Sequence, residues 1–130
     1  MVRNLIGLIT ALGVLLLLTL TNPGLKTHKF IVKAKVFPMV DEAVMLMADS
    51  TSATNLRDRL SGKRGAQFTQ ILVDDLLRKG ITRTNYVLFS TTDLDYKDQK
   101  GILGYGILSN VYLSADADRL VRGIVTESVK

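Results

Sequence analysis

The glycines at positions 101, 104 and 106 form the stretch of this sequence closest to a phosphate-binding loop. A phosphate loop places its glycines between a strand and the start of a helix, where backbone N–H groups face the phosphate. Here Gly104 and Gly106 alternate within a strand-like pattern, and we predict no helix directly after them. The pattern therefore favours close packing of a helix or an aromatic ring against the strand over nucleotide binding.

Carboxylates are the next candidates for chemistry. Asp93, Asp95 and Asp98 cluster in a predicted turn, where oxygen ligands at this spacing are compatible with calcium. The turn lacks the bidentate glutamate and the full loop of a calcium motif, so a solvated turn is the better interpretation. Asp74 and Asp75 are adjacent on a predicted helix and diverge by about 100°, so they cannot act as a carboxylate pair. We expect Asp75 to cap or pair locally.

The single histidine, His28, follows the apolar segment among several lysines. An acid–base histidine needs a partner such as a carboxylate, and none is near in sequence, so we predict a surface or interfacial side chain. Gly106, Asn110 and Tyr112 share strand parity and form a candidate recognition patch. The alternative for Asn110 is a buried side chain that fixes the strand register.

Composition excludes several function classes. The chain has no cysteine, which excludes disulfides, thiolate metal sites and cysteine nucleophiles, and one histidine excludes a multi-histidine metal site. No serine lies in a nucleophile-elbow context. We therefore predict a non-enzymatic domain without a catalytic set, a metal or a cofactor.

The net charge of +5 is unevenly distributed. Its excess lies between residues 22 and 83, in clusters that carry no interleaved aromatics and match no nucleic-acid motif, so we expect no nucleic-acid partner. Basic residues close to a membrane attract anionic headgroups. The candidates for headgroup contact are Lys26, Lys29, Lys33 and Lys35.

Residues 5–20 form an uncharged apolar run that follows Arg3. Together with the bounding Asn4 and Thr21, the run is about eighteen residues long, and at 1.5 Å per residue such a helix can just cross the hydrocarbon core, so we predict a transmembrane anchor. No convincing cleavage site follows, which favours an uncleaved anchor; a removed signal peptide is the alternative. Gly7 and Ala11 form a small-xxx-small pair, a candidate for packing against another membrane protein or a second copy, with a wholly lipid-facing anchor as the alternative.

Periodicity and capping signals predict the remaining elements. Residues 26–36 fit a helix or a strand, and we favour the helix. Further helices are expected from Pro38 to about Asp49, around Leu56 to Leu60, over 66–79 and over 115–128, the last capped by Ser114. Ser61 to Gly65 is expected to be a basic loop. Residues 85–94 and 102–113 read as two long strands that form an antiparallel hairpin.

These elements predict an α+β fold, in which helices pack on one face of an antiparallel hairpin or small sheet. The expected organisation is a transmembrane anchor (1–22), a basic juxtamembrane segment (23–37) and an α+β domain (38–130).

Three segments resemble a group of uncharacterised bacterial single-pass membrane proteins that carry a small domain of unknown function. They are Asn22-Pro23 directly after the apolar run, the strand 85–90 (NYVLFS) and the strand 104–113 (GYGILSNVYL). Residues 38–64 contribute no match. The resemblance implies a bacterial protein in the inner membrane with an outward-facing domain, and implies no activity.

The side of the membrane is open from the residues alone, because the lysines after the apolar run favour a cytoplasmic domain, whereas long domains translocate largely regardless of charge. The resemblance favours an extracytoplasmic domain. We therefore expect an anchored accessory or interaction module of the cell envelope; the alternative is a sensor domain that binds a small molecule or lipid at the membrane surface.

Overall fold

The structure is a computed structural model that describes residues 1–130. Five helices and four strands follow one another: α1 (Val2–Leu20), α2 (Leu25–Ser50), α3 (Thr54–Leu60), α4 (Gly62–Lys79), β1 (Ile81–Asn85), β2 (Ser90–Tyr96), β3 (Gln99–Ile107), β4 (Asn110–Leu113) and α5 (Ala117–Val129). The strands form one antiparallel sheet in the order β1-β2-β3-β4. This arrangement confirms the predicted α+β class, with four strands where a hairpin or a small sheet was expected.

Helix α1 projects from the rest of the molecule. It is 19 residues long, has a mean hydropathy of 2.0 and buries no residue inside the protein. At 1.5 Å per residue its length is about 28 Å, close to the thickness of a bilayer core. The predicted apolar helix is therefore present, and it is long and apolar enough to span a membrane.

Helix α2 is the central helix of the domain, and it contacts α3, α4, α5, β1 and β4. Side chains spaced four residues apart lie on its buried face: His28, Val32, Val36, Val40 and Val44. This spacing is helical, and it confirms the helix interpretation of residues 26–36.

The predicted boundary at residue 38 is wrong because it falls inside α2. Pro38 was expected in the first turn of a separate helix, but it lies in the middle of α2. A mid-helix proline removes one backbone hydrogen bond. The buried valines on both sides of it belong to one core, so packing keeps the helix continuous and makes residues 23–37 part of the domain.

Two helix starts differ from the prediction. The expected basic loop Ser61–Gly65 is wrong, because α4 begins at Gly62, where a positive φ of 58° sets the chain direction. Ser114 does not cap α5, which begins at Ala117 after Asp116. The Ser114 hydroxyl instead donates a hydrogen bond of 2.6 Å to the carbonyl of Ile102, which joins this part of the chain to β3.

The predicted strand 102–113 is in fact two strands, β3 and β4, joined by a turn. The predicted strand 85–94 covers only the last residue of β1, a turn and the first part of β2, and residues 81–84 of β1 were not predicted. Residues 86–89 separate β1 from β2, and Leu108-Ser109 separates β3 from β4. The hairpin between the predicted strands is present as the β2–β3 pair. Residues 86–89 and 108–109 contain no glycine, proline or asparagine, but Asn85 and Asn110 flank the two turns. The Oδ1 of Asn85 accepts a hydrogen bond of 2.9 Å from the Val87 N–H, as in an Asx turn.

The core lies between the helices and one face of the sheet. It unites valines of α2, leucines of α4 and α5, and Leu94, Leu103 and Val111 of the sheet. The other face is open, and Tyr105 and Tyr112 form a cross-strand pair that is about half exposed there.

Candidate functional site at the end of the first helix

The segment that follows α1 is bound to the sheet rather than joined by a free linker. The side-chain amide of Asn22 donates to three acceptors in the β1–β2 connection: Oδ1 of Asn85 at 2.9 Å, and the carbonyls of Val87 at 3.0 Å and Phe89 at 3.1 Å. Its own Oδ1 is buried and receives no hydrogen bond, so Asn22 is held through its donors. A single side chain thus fixes the end of α1 to one turn of the sheet.

A second turn and an arginine complete this attachment. The backbone N–H of Ser109 donates 2.6 Å to the carbonyl of Thr21. The Nε of Arg83 donates 2.7 Å to the carbonyl of Pro23. We call residues 86–89 and 108–109 the junction turns, because both are hydrogen-bonded to residues 21–22.

His28 lies directly behind this attachment and is completely buried. Its Nδ1 lies 2.6 Å from the Thr92 hydroxyl, and its Nε2 lies 2.7 Å from the Ser90 hydroxyl. A neutral imidazole carries one donor and one acceptor, so it can satisfy both contacts at once. The prediction of a surface histidine is therefore wrong. The signal that could have located it is its place in the four-residue stripe with Val32 and Val36.

The surroundings of His28 favour its neutral form. Burial lowers the pKa of the imidazole below the ordinary value of 6.5, the charge of the Arg83 guanidinium lowers the pKa further, and the charge of Asp93 opposes them. Because Ser90 and Thr92 are also fully buried, no substrate reaches this cluster from solvent. The arrangement joins α2 to β2 through two buried hydrogen bonds.

Gly106 makes room for the imidazole. A Cβ at this position would lie 2.5 Å from Nε2 of His28 and 2.6 Å from both Cγ of Pro23 and Oγ of Ser90. Such distances are well inside van der Waals contact. The structure thus agrees at Gly106 with the prediction that a ring packs against this strand, whereas Gly104 faces the backbone of Tyr112 and the side chain of Val111.

The junction turns carry apolar side chains into solvent. Tyr86 and Phe89 stack with ring centroids 4.9 Å apart. Val87 is 59% exposed with φ at 72°, and Leu108 is 52% exposed with φ at 50°. Positive φ is unfavourable for a side chain branched at Cβ and for bulky side chains. The flanking Asn85 and Asn110 are the signals that could have located these turns, because asparagine is a turn-forming residue.

The predicted lysines divide into two pairs. Lys26 is exposed and Lys29 partly exposed in the first turns of α2, near the end of α1. Lys33 forms an ion pair with Asp74 at 2.8 Å. Lys35 donates to the carbonyl of Val111 and lies 5.2 Å above the Tyr112 ring. The second pair is thus engaged within the domain.

The predicted recognition patch is not assembled. Gly106 pairs with Val111 across the β3–β4 turn, and paired residues share a face of an antiparallel sheet. Asn110 and Tyr112 therefore lie on the opposite face from Gly106. The two-residue turn at 108–109, unforeseen in the sequence, reverses the parity on which the patch depended. Asn110 is only half-buried, and its Oδ1 accepts a hydrogen bond of 2.8 Å from the backbone N–H of Val111.

The other candidate residues lie apart from the junction. Gly7 and Ala11 are exposed on α1, and nothing in the protein approaches Gly7 within 4 Å. Asp75 pairs with Arg78 and Lys79 and accepts a hydrogen bond of 2.6 Å from the Tyr96 phenol, in line with local pairing. No group of three or more histidine, aspartate or glutamate side chains is arranged to hold a metal.

Three surface grooves are present, and none touches strand β3 or β4. The largest has a volume of about 520 Å³ and lies between α4 and the end of β2, with Phe68, Ile71 and Tyr96 in its wall. The other two lie along α2, against α4 and α5. The polar cluster around His28 is packed solid.

In comparisons with known proteins, no protein-family model, no curated protein and no solved structure matches the chain.

Proposed function

We propose that this protein is a membrane-anchored, non-enzymatic interaction module of the bacterial cell envelope. In this proposal α1 lies in the inner membrane, and the α+β domain is held close to the outer surface of that membrane. The observation that carries it is the attachment of Asn22 and Thr21 to both junction turns, directly after a helix long enough to span.

The apolarity of α1 supports the anchor. An apolar helix in a soluble domain normally buries one face, whereas α1 exposes leucine, isoleucine and valine on every side. Fully exposing such side chains to water costs about 1.5–3 kcal/mol each relative to burial. A bilayer removes this cost without any contact from the domain.

The attachment supports a module held in a fixed position. A tether that only localises a domain needs no ordered contacts with it, and flexible linkers serve that purpose. Here four hydrogen bonds from Asn22 and Ser109, together with the Arg83 bond to Pro23, order the connection. An ordered connection presents the domain at one height and angle, which suits contact with another envelope protein.

Two surfaces support an interaction role. Gly7 and Ala11 lie within about 40° of each other around α1 and allow a second helix to approach closely. On the domain, the open sheet face presents Tyr105 and Tyr112. The resemblance to bacterial single-pass proteins supports the envelope location and the outward-facing domain.

The alternative, a sensor that binds a small molecule or lipid, predicts a concave apolar pocket beside β3 and β4. The three grooves lie elsewhere, so no specific observation favours it.

Two experiments on the full-length protein in bacterial membranes test the proposal. The first combines alkaline carbonate extraction with a reporter at Lys130 that is active only outside the cytoplasm. We expect the protein to stay in the membrane pellet with an active reporter. Release into the supernatant would contradict the anchor, and an expressed but inactive reporter would contradict the orientation.

The second experiment is native mass analysis after mild detergent extraction. We expect an assembly with a second copy or another protein, and we expect Gly7→Leu and Ala11→Leu to weaken it. Gly13→Leu is the matched control, since Gly13 lies about 120° around the helix from Gly7. A lone monomer under all mild conditions would contradict the interaction role.

A further inference from the structure

We propose that the two junction turns are seated in the headgroup layer of the membrane, beside the end of α1, and that Tyr86, Val87, Phe89 and Leu108 contact lipid there. This inference rests on the proposed anchoring of α1 and adds a specific lipid-facing surface to it. The occupant of the surface is the lipid interface of the same bilayer.

The position of the turns follows from the length of α1. A helix of about 28 Å only just crosses a hydrocarbon core of about 30 Å, so its last residue lies at the boundary of that core. Thr21 and Asn22 follow directly and must lie in the headgroup region. The carbonyls of Val87 and Phe89 and the N–H of Ser109 are within 3.1 Å of atoms of these two residues. The turns therefore lie at the same depth.

The side chains at this depth have the chemistry of an interface. Tyr86 and Phe89 form a stacked aromatic pair, and tyrosine is enriched where headgroups meet hydrocarbon because its ring is apolar and its hydroxyl polar. Phe30 is 78% exposed on α2, in the same helical turns as Lys26 and Lys29. Apolar rings beside lysines match the layer in which acyl chains give way to phosphate.

The backbone at Val87 and Leu108 supports the same conclusion. Both residues adopt positive φ, where glycine or asparagine is preferred and other L-residues are sterically unfavourable. Neither side chain is buried in the core, so packing inside the domain does not offset the unfavourable backbone conformation at either residue. Contact with lipid supplies a reason for an apolar side chain at each position.

The opposite end of the sheet provides the contrast. The β2–β3 turn also has a non-glycine residue at positive φ, Lys97 at 49°, and Asp98 follows it. This turn lies about 20 Å from Ser90 along β2, at the far end from α1. Positive-φ positions thus carry Val87, Leu108 and the small Ser109 next to the helix end and the charged Lys97 away from it, so both apolar residues of this kind lie at the end that we place in lipid.

Tryptophan fluorescence tests the inference, because the chain contains no tryptophan of its own. Full-length variants Val87→Trp, Leu108→Trp and Lys97→Trp are reconstituted in vesicles of phosphatidylglycerol and phosphatidylcholine brominated near the headgroup end of its acyl chains. Leu12→Trp, at the middle of α1, is reconstituted with phosphatidylcholine brominated near the methyl end of its acyl chains. Lys97→Trp is the matched control, since it places the probe on an exposed turn with positive φ. Leu12→Trp reports on α1 itself.

We expect Val87→Trp and Leu108→Trp to be quenched several-fold more strongly than Lys97→Trp and to emit at shorter wavelength. Quenching of Leu12→Trp together with equal, weak quenching at positions 87, 108 and 97 would overturn this inference and leave the anchor intact. Absence of quenching at Leu12→Trp would instead contradict the proposed function.

A second pair of variants guards against misfolding. Tyr86→Trp places the probe in the same turn at a residue without positive φ and retains an aromatic ring against Phe89. It should be quenched like Val87→Trp while its thermal unfolding in micelles matches the wild type. Val87→Asn should unfold at a temperature no lower than the wild type, because asparagine tolerates this backbone conformation. A folded Tyr86→Trp variant with no lipid quenching would also overturn the inference.

Discussion

Gly106 of β3 lies directly beneath the imidazole of His28, so close that a methyl group at position 106 would lie 2.5 Å from Nε2. The histidine side chain occupies the space that a Cβ would need, and the Ser90 and Thr92 hydroxyls hold the ring there. The contact joins the first turn of α2 to the centre of the sheet.

Replacing Gly106 with alanine should therefore destabilise the domain. Because the added methyl meets His28, Pro23 and Ser90 at once, we expect the free energy of unfolding to fall by about 1–3 kcal/mol or more, as for other overpacked sites. Urea unfolding in micelles, followed by circular dichroism, measures the change. Gly101→Ala is the matched control in the same strand, since its Cβ would lie 3.4 Å from Leu120, an ordinary contact. Equal effects of the two variants would contradict the tight packing.

The stability of the domain should fall as the pH is lowered from 7.5 to 5.5. The folded state lowers the pKa of His28 below 6.5, so the unfolded chain binds the proton more readily in this interval. Protonation therefore favours unfolding as the pH falls through 6.5, and the stabilisation from the neutral imidazole is fully present only above that pH. The urea midpoint at the two pH values measures the effect.

The single histidine makes this experiment clean, because no other side chain has an ordinary pKa between 5 and 8. His28→Gln retains a polar group of similar length that does not titrate. This variant should be less stable than the wild type at pH 7.5 and should lose the dependence on pH. An unchanged slope in His28→Gln would assign the effect to other groups.

Asn22→Asp should be more damaging than Asn22→Ala. Alanine removes the donors of three hydrogen bonds and should cost about 1–3 kcal/mol. Aspartate has the same size but places a carboxylate against three oxygen acceptors, so repulsion adds to the loss. Asn55→Ala, on the exposed side of α3, is the control and should change stability by less than about 0.5 kcal/mol. The reverse order of the two Asn22 variants would indicate that the amide does not donate to the turn.

Tyr96 should ionise last among the four tyrosines. Its partial burial and its hydrogen bond to the Asp75 carboxylate raise its pKa to about 12, whereas Tyr86, Tyr105 and Tyr112 are exposed. The phenol keeps its proton in the folded state, so stability should decline as the pH rises above the ordinary tyrosine value of 10. Ultraviolet titration of phenolate resolves the late group, and Asp75→Asn should move it to lower pH. Four tyrosines that titrate together in the folded wild type would contradict the contact.

Sequence patterns predicted the elements whose signals are local. The apolar run gave α1, and the spacing of Phe68, Leu72 and Leu76 gave α4, because a helix repeats its own buried face every three to four residues. The same periodicity predicts a helix over residues 26–36, and these residues lie in α2. Pro38 led to the wrong prediction of a helix start, because proline is rare inside a long helix. Here the packing of the valines before and after it keeps α2 continuous.

The candidate site could not be predicted from local sequence patterns because its contacts join residues that are distant in sequence. His28 meets Ser90 and Thr92 across 62 and 64 residues, and Asn22 meets Val87 across 65. Ser90 and Thr92 lie in β2, whereas Val87 lies in a junction turn, where a β-branched residue that favours strands gives no turn signal. The unpredicted turn at 108–109 puts Asn110 and Tyr112 on the face of the sheet opposite to Gly106, whereas a continuous strand would put all three on one face.

The hydrogen-bonded connection between α1 and the sheet has a mechanical consequence. A bilayer that is thinner or thicker than the helix changes its tilt, because tilting is the least costly response to a mismatch in length. With residues 21 and 22 bonded to the two junction turns and Pro23 bonded to Arg83 of β1, the sheet of the proposed anchored protein cannot swivel to compensate and must lean with the helix. The lipid composition of the membrane would thereby set the angle at which the distal turn around Lys97 stands above the surface.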